Sequence, residues 1–93
     1  MDNPIRFGVV GGGIRGSMFA SVIAEHPRGE LVAFCDRSPA VAESLSASFS
    51  VPVVSDLEDF FALGLDAVVV ATPDFAHLDA GLGALSRNLH VLF

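Results

Sequence analysis

From Ile5 to Gly16 the chain reads Ile-Arg-Phe-Gly-Val-Val-Gly-Gly-Gly-Ile-Arg-Gly, an apolar strand-like run that turns into a helix-like one through consecutive glycines. A strand that passes into a helix over so short a turn is the opening of an α/β unit, in which the helix packs back on the sheet. Gly11, Gly13 and Gly16 fit Gly-x-Gly-x-x-Gly, and each position has its own physical reason. Gly11 allows the tight turn out of the strand. Gly13, without a Cβ, lets a pyrophosphate approach the backbone, and Gly16 lets the helix lie close to the sheet. The amides of Ile14, Arg15 and Gly16 in the first turn, with the helix dipole behind them, then offer a site for negative charge. Three glycines alone are weak evidence, and the rest of the chain has to supply their context.

The periodicity past the glycines alternates between strands and helices. Ile5 to Val10 is the first expected strand; Ile14, Met18, Phe19, Val22 and Ile23 are spaced for one buried face of a helix, with Met18 read as core. His26-Pro27-Arg28-Gly29 stops it, with His26 read as a helix-end cation. Glu30 to Cys35 is a second strand with Asp36 at its end; Ser38-Pro39 caps a second helix carrying Val41, Ala42, Leu45 and Phe49. Val51 to Ser55 reads as a short third strand. Ser55-Asp56-Leu57-Glu58 matches a capping box with Ser55 as the cap, followed by Leu57, Phe60 and Phe61 toward the core and Gly64 as the stop. Asp66 to Ala71 is a fourth, buried strand. A fourth helix carrying Leu78, Leu82, Leu85 and then Leu89 leads to a fifth strand starting at His90.

This alternation predicts a Rossmann-type, doubly wound parallel sheet with right-handed crossovers and strand order 3-2-1-4-5, incomplete at its C-terminal end. The switch point falls between strands one and four, where the Gly11–Gly16 loop meets the Thr72–His77 loop. Ligands of such sheets bind outside the carboxyl ends of the strands at that point. Strand five is left as an edge prone to association.

Asp36 lies 20 residues beyond Gly16, at the end of strand two. A carboxylate there can accept both hydroxyls of an adenine ribose, which favours NAD; Arg37 beside it could meet a 2′-phosphate, so NAD or NADP is expected. Composition is compatible. Eleven acidic residues against five arginines give a net charge of −6, which argues against nucleic acid or an anionic membrane as partner. Hydrophobic residues make up 52% of the 93 residues, as expected where strands are buried on both faces. No apolar run approaches the roughly 18 residues that span a bilayer, and the first residues lack the pattern of an export signal. Cys35 is the only cysteine, so no internal disulfide or metal cluster is expected and a cytoplasmic setting is.

Ala71-Thr72-Pro73-Asp74-Phe75-Ala76-His77, together with the glycine loop, Asp36 and His90-Val91, resembles the Gfo/Idh/MocA family of NAD(P)-dependent oxidoreductases of sugars, inositols and related polyols. The resemblance covers essentially the whole chain. It implies that residues 1–93 are the N-terminal nucleotide-binding domain, in part, of an enzyme that moves a hydride between NAD(P) and a polyol or sugar. It also implies that Thr72, Pro73 and His77 line the cofactor site, His77 on the nicotinamide side. The whole protein is expected to be a homo-oligomer. Asp74 departs from the family's usual asparagine, and Asn88-Leu89 from its Gly-Lys. The family's Glu-Lys-Pro element, with the catalytic lysine, would follow Phe93, and the substrate-binding domain would lie beyond it. No catalytic residue is therefore expected among these 93, which include neither lysine nor tyrosine.

The remaining residues carry less. His90 reads as a surface or packing residue, Cys35 as a small buried hydrophobe, and the phenylalanines as core. Two other readings stay open: a nucleotide-sensing Rossmann module without chemistry, and an S-adenosylmethionine-dependent methyltransferase. The first has no need of Thr72, Pro73 and His77, and Gly16 weighs against the second.

Overall fold

Five parallel strands form one sheet in the order β3-β2-β1-β4-β5, as the alternation of elements requires. The computed structural model describes residues 4–72, 80–81, 83–87 and 89–92; Pro73, Asp74, His77, Leu78, Leu82 and Asn88 lie outside them. The strands are β1 (Ile5–Val10), β2 (Gly29–Cys35), β3 (Val53–Val54), β4 (Ala67–Val70) and β5 (His90–Leu92). The helices are α1 (Ile14–Glu25), α2 (Pro39–Phe49) and α3 (Leu57–Phe61), and residues 80–81 and 83–85 are also helical. The third strand is shorter than its apolar run suggested. Val51 and Pro52 stay outside the ladder, although the Pro52 carbonyl still accepts the Phe34 N–H at 3.0 Å.

Helices cover both faces of the sheet. On one, Val9, Phe34 and Val69 pack under α1 and α2 through Ala20, Ile23 and Leu45, and the Phe34 and Phe49 rings meet at 5.3 Å between centroids. On the other, Val10, Ala33, Cys35, Val68 and Val70 pack against Phe60, Phe61, Ala80 and Ala84. All four β4 residues are buried, so this strand reads as continuous hydrophobe because both of its faces are covered. Gly83, which costs helix propensity, sits where a Cβ would crowd the Phe61 ring at 2.7 Å.

Three side-chain expectations are corrected. In α1 the buried residues are Gly16, Ala20 and Ile23, whereas Ile14, Met18, Phe19 and Val22 are exposed, Ile14 to 83%. The rotation of α1 is set by its small residues: a Cβ at Gly16 would overlap the Gly11 carbonyl oxygen, so the helix turns its glycine and alanine to the sheet and its larger side chains away. Met18 is therefore not core. Leu85 is likewise exposed, and Ala80 and Ala84 hold the buried positions next to it. The cap of α3 is Asp56 and not Ser55: Asp56 is extended (φ −114°, ψ 129°) and its side chain accepts the Glu58 N–H. His26 caps the end of α1, and its Nδ1 accepts the Arg28 N–H at 3.1 Å.

The other expected caps form as read. Ser38 accepts the Val41 N–H ahead of Pro39, and Gly64 takes a positive φ of 78° after α3. Among the described residues no helix is long and apolar enough to cross a membrane, and no cluster of histidine, cysteine and acidic residues could hold a metal ion.

Candidate functional site

The carboxyl ends of the strands open into a cleft of about 600 Å³. Gly11 to Gly13 form its floor, Asp36 and Arg37 one wall, Ser55 to Leu57 the wall beyond, and Ala71, Thr72 and Ala80 the opposite side. The loop conformation follows from its glycines. Gly11 has φ 93°, a conformation costly for any residue with a Cβ. Its N–H donates to the Cys35 carbonyl at 2.9 Å, so the turn starts anchored to the end of β2. Gly13 is the N-cap of α1 and no side chain caps it. A Cβ built there would have nothing within 4 Å, so this side of the loop is open to a ligand.

The first turn of α1 has no acidic residue and no side-chain cap, and no described group accepts a hydrogen bond from the amides of Ile14, Arg15 or Gly16. Orphan donors at the positive end of a 12-residue helix form an anion site. Ile14 and Arg15 bring only their backbone to it, since both side chains are exposed and neither lines the cleft.

Asp36 is held more firmly than its position at a strand end indicated. Its Oδ2 accepts the Gly12 N–H at 2.8 Å and its Oδ1 accepts the Ser38 N–H at 2.8 Å. The carboxylate is thus clamped between the glycine loop and the start of α2, with its remaining lone pairs available to the cleft. Gly12 is the residue that motif reading passed over. Its amide orients Asp36, and a Cβ on it would overlap Leu45 of α2. The three-glycine run was the available signal, since only two of those glycines are needed by Gly-x-Gly-x-x-Gly.

Thr72 closes the site from the β4 side. Its methyl group lies beside Gly11, 2.9 Å from where a Cβ would stand, and its buried Oγ1 has no hydrogen-bond partner. A buried hydroxyl left unpaired costs about 1–3 kcal/mol, which marks this oxygen as the one buried side-chain polar atom without a partner among the described residues. Pro73 and His77 fall outside the described residues. Arg37 is exposed at the rim. Cys35 lies at the back of the cleft, 5% exposed. Burial first, then the charges of Asp36 and Asp56, push its thiol up to about 11, and Arg37 opposes them. It is a neutral packing residue at neutral pH, as its position in a buried strand implied.

Comparison with known proteins agrees with this geometry. The family described as "Oxidoreductase family, NAD-binding Rossmann fold" (GFO_IDH_MocA) matches residues 5–93. Over 75 residues the chain is 33% identical to an inositol 2-dehydrogenase of Rhizobium meliloti (strain 1021), covering 81% of this chain and 23% of that protein. A scyllo-inositol dehydrogenase from Lactobacillus casei, solved with NAD(H) and scyllo-inositol, superposes with a TM-score of 0.87 at 29% identity, over 96% of this chain and 27% of that one. The WlbA dehydrogenase from Bordetella pertussis, solved with NADH and UDP-GlcNAcA, gives a TM-score of 0.88 at 34% identity, over 96% of this chain and 28% of that one. The chain thus spans about a quarter of the length of these relatives. With the strand order, the glycine loop and the family match in agreement, the chain belongs to the Gfo/Idh/MocA oxidoreductases and forms their NAD-binding Rossmann domain.

Proposed function

We propose that this cleft binds the adenosine and pyrophosphate of NAD(H) for a protein that oxidises or reduces a polyol or sugar at a carbinol or carbonyl carbon. The observation that carries this reading is the clamped Asp36 carboxylate beside an uncapped helix N-terminus in one cleft. The pyrophosphate would take the free amides of Ile14, Arg15 and Gly16 over the open face of Gly13, with Gly11 making the turn. Asp36 would accept the two ribose hydroxyls, Arg37 would border the adenine, and the unpaired Thr72 hydroxyl would donate to the ligand. The family resemblance assigns Pro73 to the cofactor site and His77 to its nicotinamide side. Hydride transfer is the chemistry that such a cofactor supplies when bound.

NAD(H) is favoured over NADP(H). Asp36 cannot swing aside for a 2′-phosphate without giving up its bonds from the Gly12 and Ser38 amides, part-buried hydrogen bonds worth about 1 kcal/mol each. The dehydrogenase reading is favoured over a sensing module or a methyltransferase by relatives solved with NAD(H) and an inositol or a sugar nucleotide. Cytoplasmic location and a homo-oligomeric whole protein belong to the same proposal, with Cys35 as a buried free thiol.

Calorimetric titration of the chain with NADH, NADPH and S-adenosylmethionine tests it. NADH is expected to bind more tightly than NADPH, and S-adenosylmethionine not at all. Binding of S-adenosylmethionine without either dinucleotide would overturn the reading. With no lysine or tyrosine among its residues, the chain is expected to bind without turnover, read as no change in NADH absorbance with any polyol.

A further inference from the structure

One wall of the cleft plays no part in the assignment above: the loop from β3 into α3, which brings Ser55, Asp56 and Leu57 to the ligand side. Its placement follows from the register of the sheet. β3 pairs with the last residues of β2, Val53 beside Phe34 and Val54 beside Cys35. The Asp36 N–H then donates to the Val54 carbonyl at 3.0 Å. The chains leaving the two strands therefore run side by side, and Asp56 comes to line the same cleft as Asp36 and Arg37.

Asp56 is held at the start of α3 by its capping bond. Its Oδ1 accepts the Glu58 N–H at 3.1 Å, capping α3, and no described residue donates to its second oxygen. Arg37 makes no ion pair or hydrogen bond with a described residue, so its guanidinium remains available to a ligand at the rim. Two carboxylates and one guanidinium thus line the same end of the cleft. All three act on the Cys35 thiol behind it, the acids in one direction and Arg37 in the other.

Arginine next to the ribose acid is the arrangement that accommodates a 2′-phosphate in other dinucleotide sites. Taken alone, Arg37 would weaken the selection exerted by Asp36. We propose that Asp56 is a second determinant of cofactor choice, offsetting Arg37 and repelling a 2′-phosphate so that the site keeps the unphosphorylated dinucleotide. The inference rests on the NAD(H) reading above and adds to it a residue outside the glycine fingerprint and the β2 acid. A 2′-phosphate carries about 1.5 to 2 negative charges at neutral pH. It would therefore feel Asp56 strongly, whereas the neutral hydroxyl of NAD(H) would not.

The test uses Asp56→Ser and Asp56→Asn, both of which retain an N-cap for α3, and Asp59→Asn as control. Asp59 is an exposed acid on the same helix that does not line the cleft, so its variant removes the same charge at a different place. NADPH affinity is expected to rise about fivefold in both Asp56 variants at low salt. NADH affinity should stay within about twofold, and Asp59→Asn should leave both unchanged. In about 0.5 M salt the NADPH gain should shrink below about twofold, because screening removes a through-space effect between exposed charges. Unchanged NADPH affinity in the Asp56 variants, with NADH still bound, would overturn the proposal. An equal gain in Asp59→Asn would overturn it as well, by assigning the effect to net charge. Failure of the unsubstituted chain to bind either dinucleotide would instead overturn the NAD(H) reading itself.

Discussion

The two ends of the parallel sheet treat their polar groups in opposite ways. At the amino ends, Arg6 is fully engaged. Its Nε donates to the Gly64 carbonyl at 2.8 Å, its guanidinium NH2 group to the Leu63 carbonyl at 3.1 Å, and its NH1 group to Glu30 at 3.1 Å. Its backbone N–H donates to Asp66 at 2.9 Å, and its carbonyl accepts the Asp66 N–H at 2.8 Å. This end ties β1, β2 and the turn before β4 together. At the carboxyl ends, the first amides of α1 and the buried Thr72 hydroxyl have no partner within the described chain. Paired groups tie an end together, whereas donors left over at an end are open to water or a ligand. The site is therefore marked by unmet hydrogen-bonding capacity as much as by its motif.

Substitutions at the two ends should separate these roles. Gly16→Ala is expected to have the largest effect, since the added Cβ meets backbone at Gly11 and the helix must lift from the sheet. A loss of about 3 kcal/mol in urea unfolding is expected, with loss of NADH binding; a stability change under about 1 kcal/mol would show that the close contact is not required. Arg6→Met should cost about 1–2 kcal/mol, given that its ion pair with Glu30 is half exposed and weakly stabilising. NADH affinity should be unchanged within about twofold, and a larger loss would join the two ends that the comparison separates. Thr72→Val should do the reverse. Removing an unpaired buried hydroxyl is expected to leave the melting temperature unchanged or raise it, by up to about 1 kcal/mol of stability, while NADH affinity falls about three- to tenfold. Lower stability with intact binding would mean the hydroxyl serves the fold.

The smallest effect concerns pH. Cys35 titrates near 11 in the folded chain against 9.0 for the ordinary thiol. A raised value means the folded state holds its proton where the unfolded state has lost it. Its contribution is thus complete below pH 9 and declines as the pH rises from 9 toward 11. Cys35→Ser should remove that part of the alkaline decline in stability, measured by urea midpoints across the range. An unchanged profile would show that other groups govern it.

How much was legible in the sequence depended on whether the controlling interaction was local. The turn at Gly11, the Ser38-Pro39 cap and the stop at Gly64 were readable because each is a backbone conformation dictated by neighbouring residues. The buried character of β4 was readable because an unbroken apolar run needs no knowledge of its partners. The face of α1 was not. Ile14, Met18, Phe19 and Val22 had the spacing of a buried stripe, yet the close approach at Gly16 turned the helix the other way. The cap of α3 was read one residue early because Ser55 and Asp56 are both competent caps, and backbone geometry chose between them.

The candidate site divides along the same line. Gly11, Gly13, Gly16, Asp36 and the arginine beside it were visible as a spaced motif, since a dinucleotide of fixed length imposes a fixed spacing on the residues that hold it. Gly12 as the donor that clamps Asp36, the unpaired hydroxyl of Thr72 and the presence of Asp56 in the cleft were not visible. Each depends on segments far apart in the chain being brought together by strand register. Sequence by itself determined the order of the elements, the parallel sheet and the place of the phosphate loop, because short-range backbone constraints and apolar periodicity suffice for those. Tertiary structure decided which side chains face the sheet and which charges share the cleft, because packing at one glycine contact and hydrogen bonding between neighbouring strands set them.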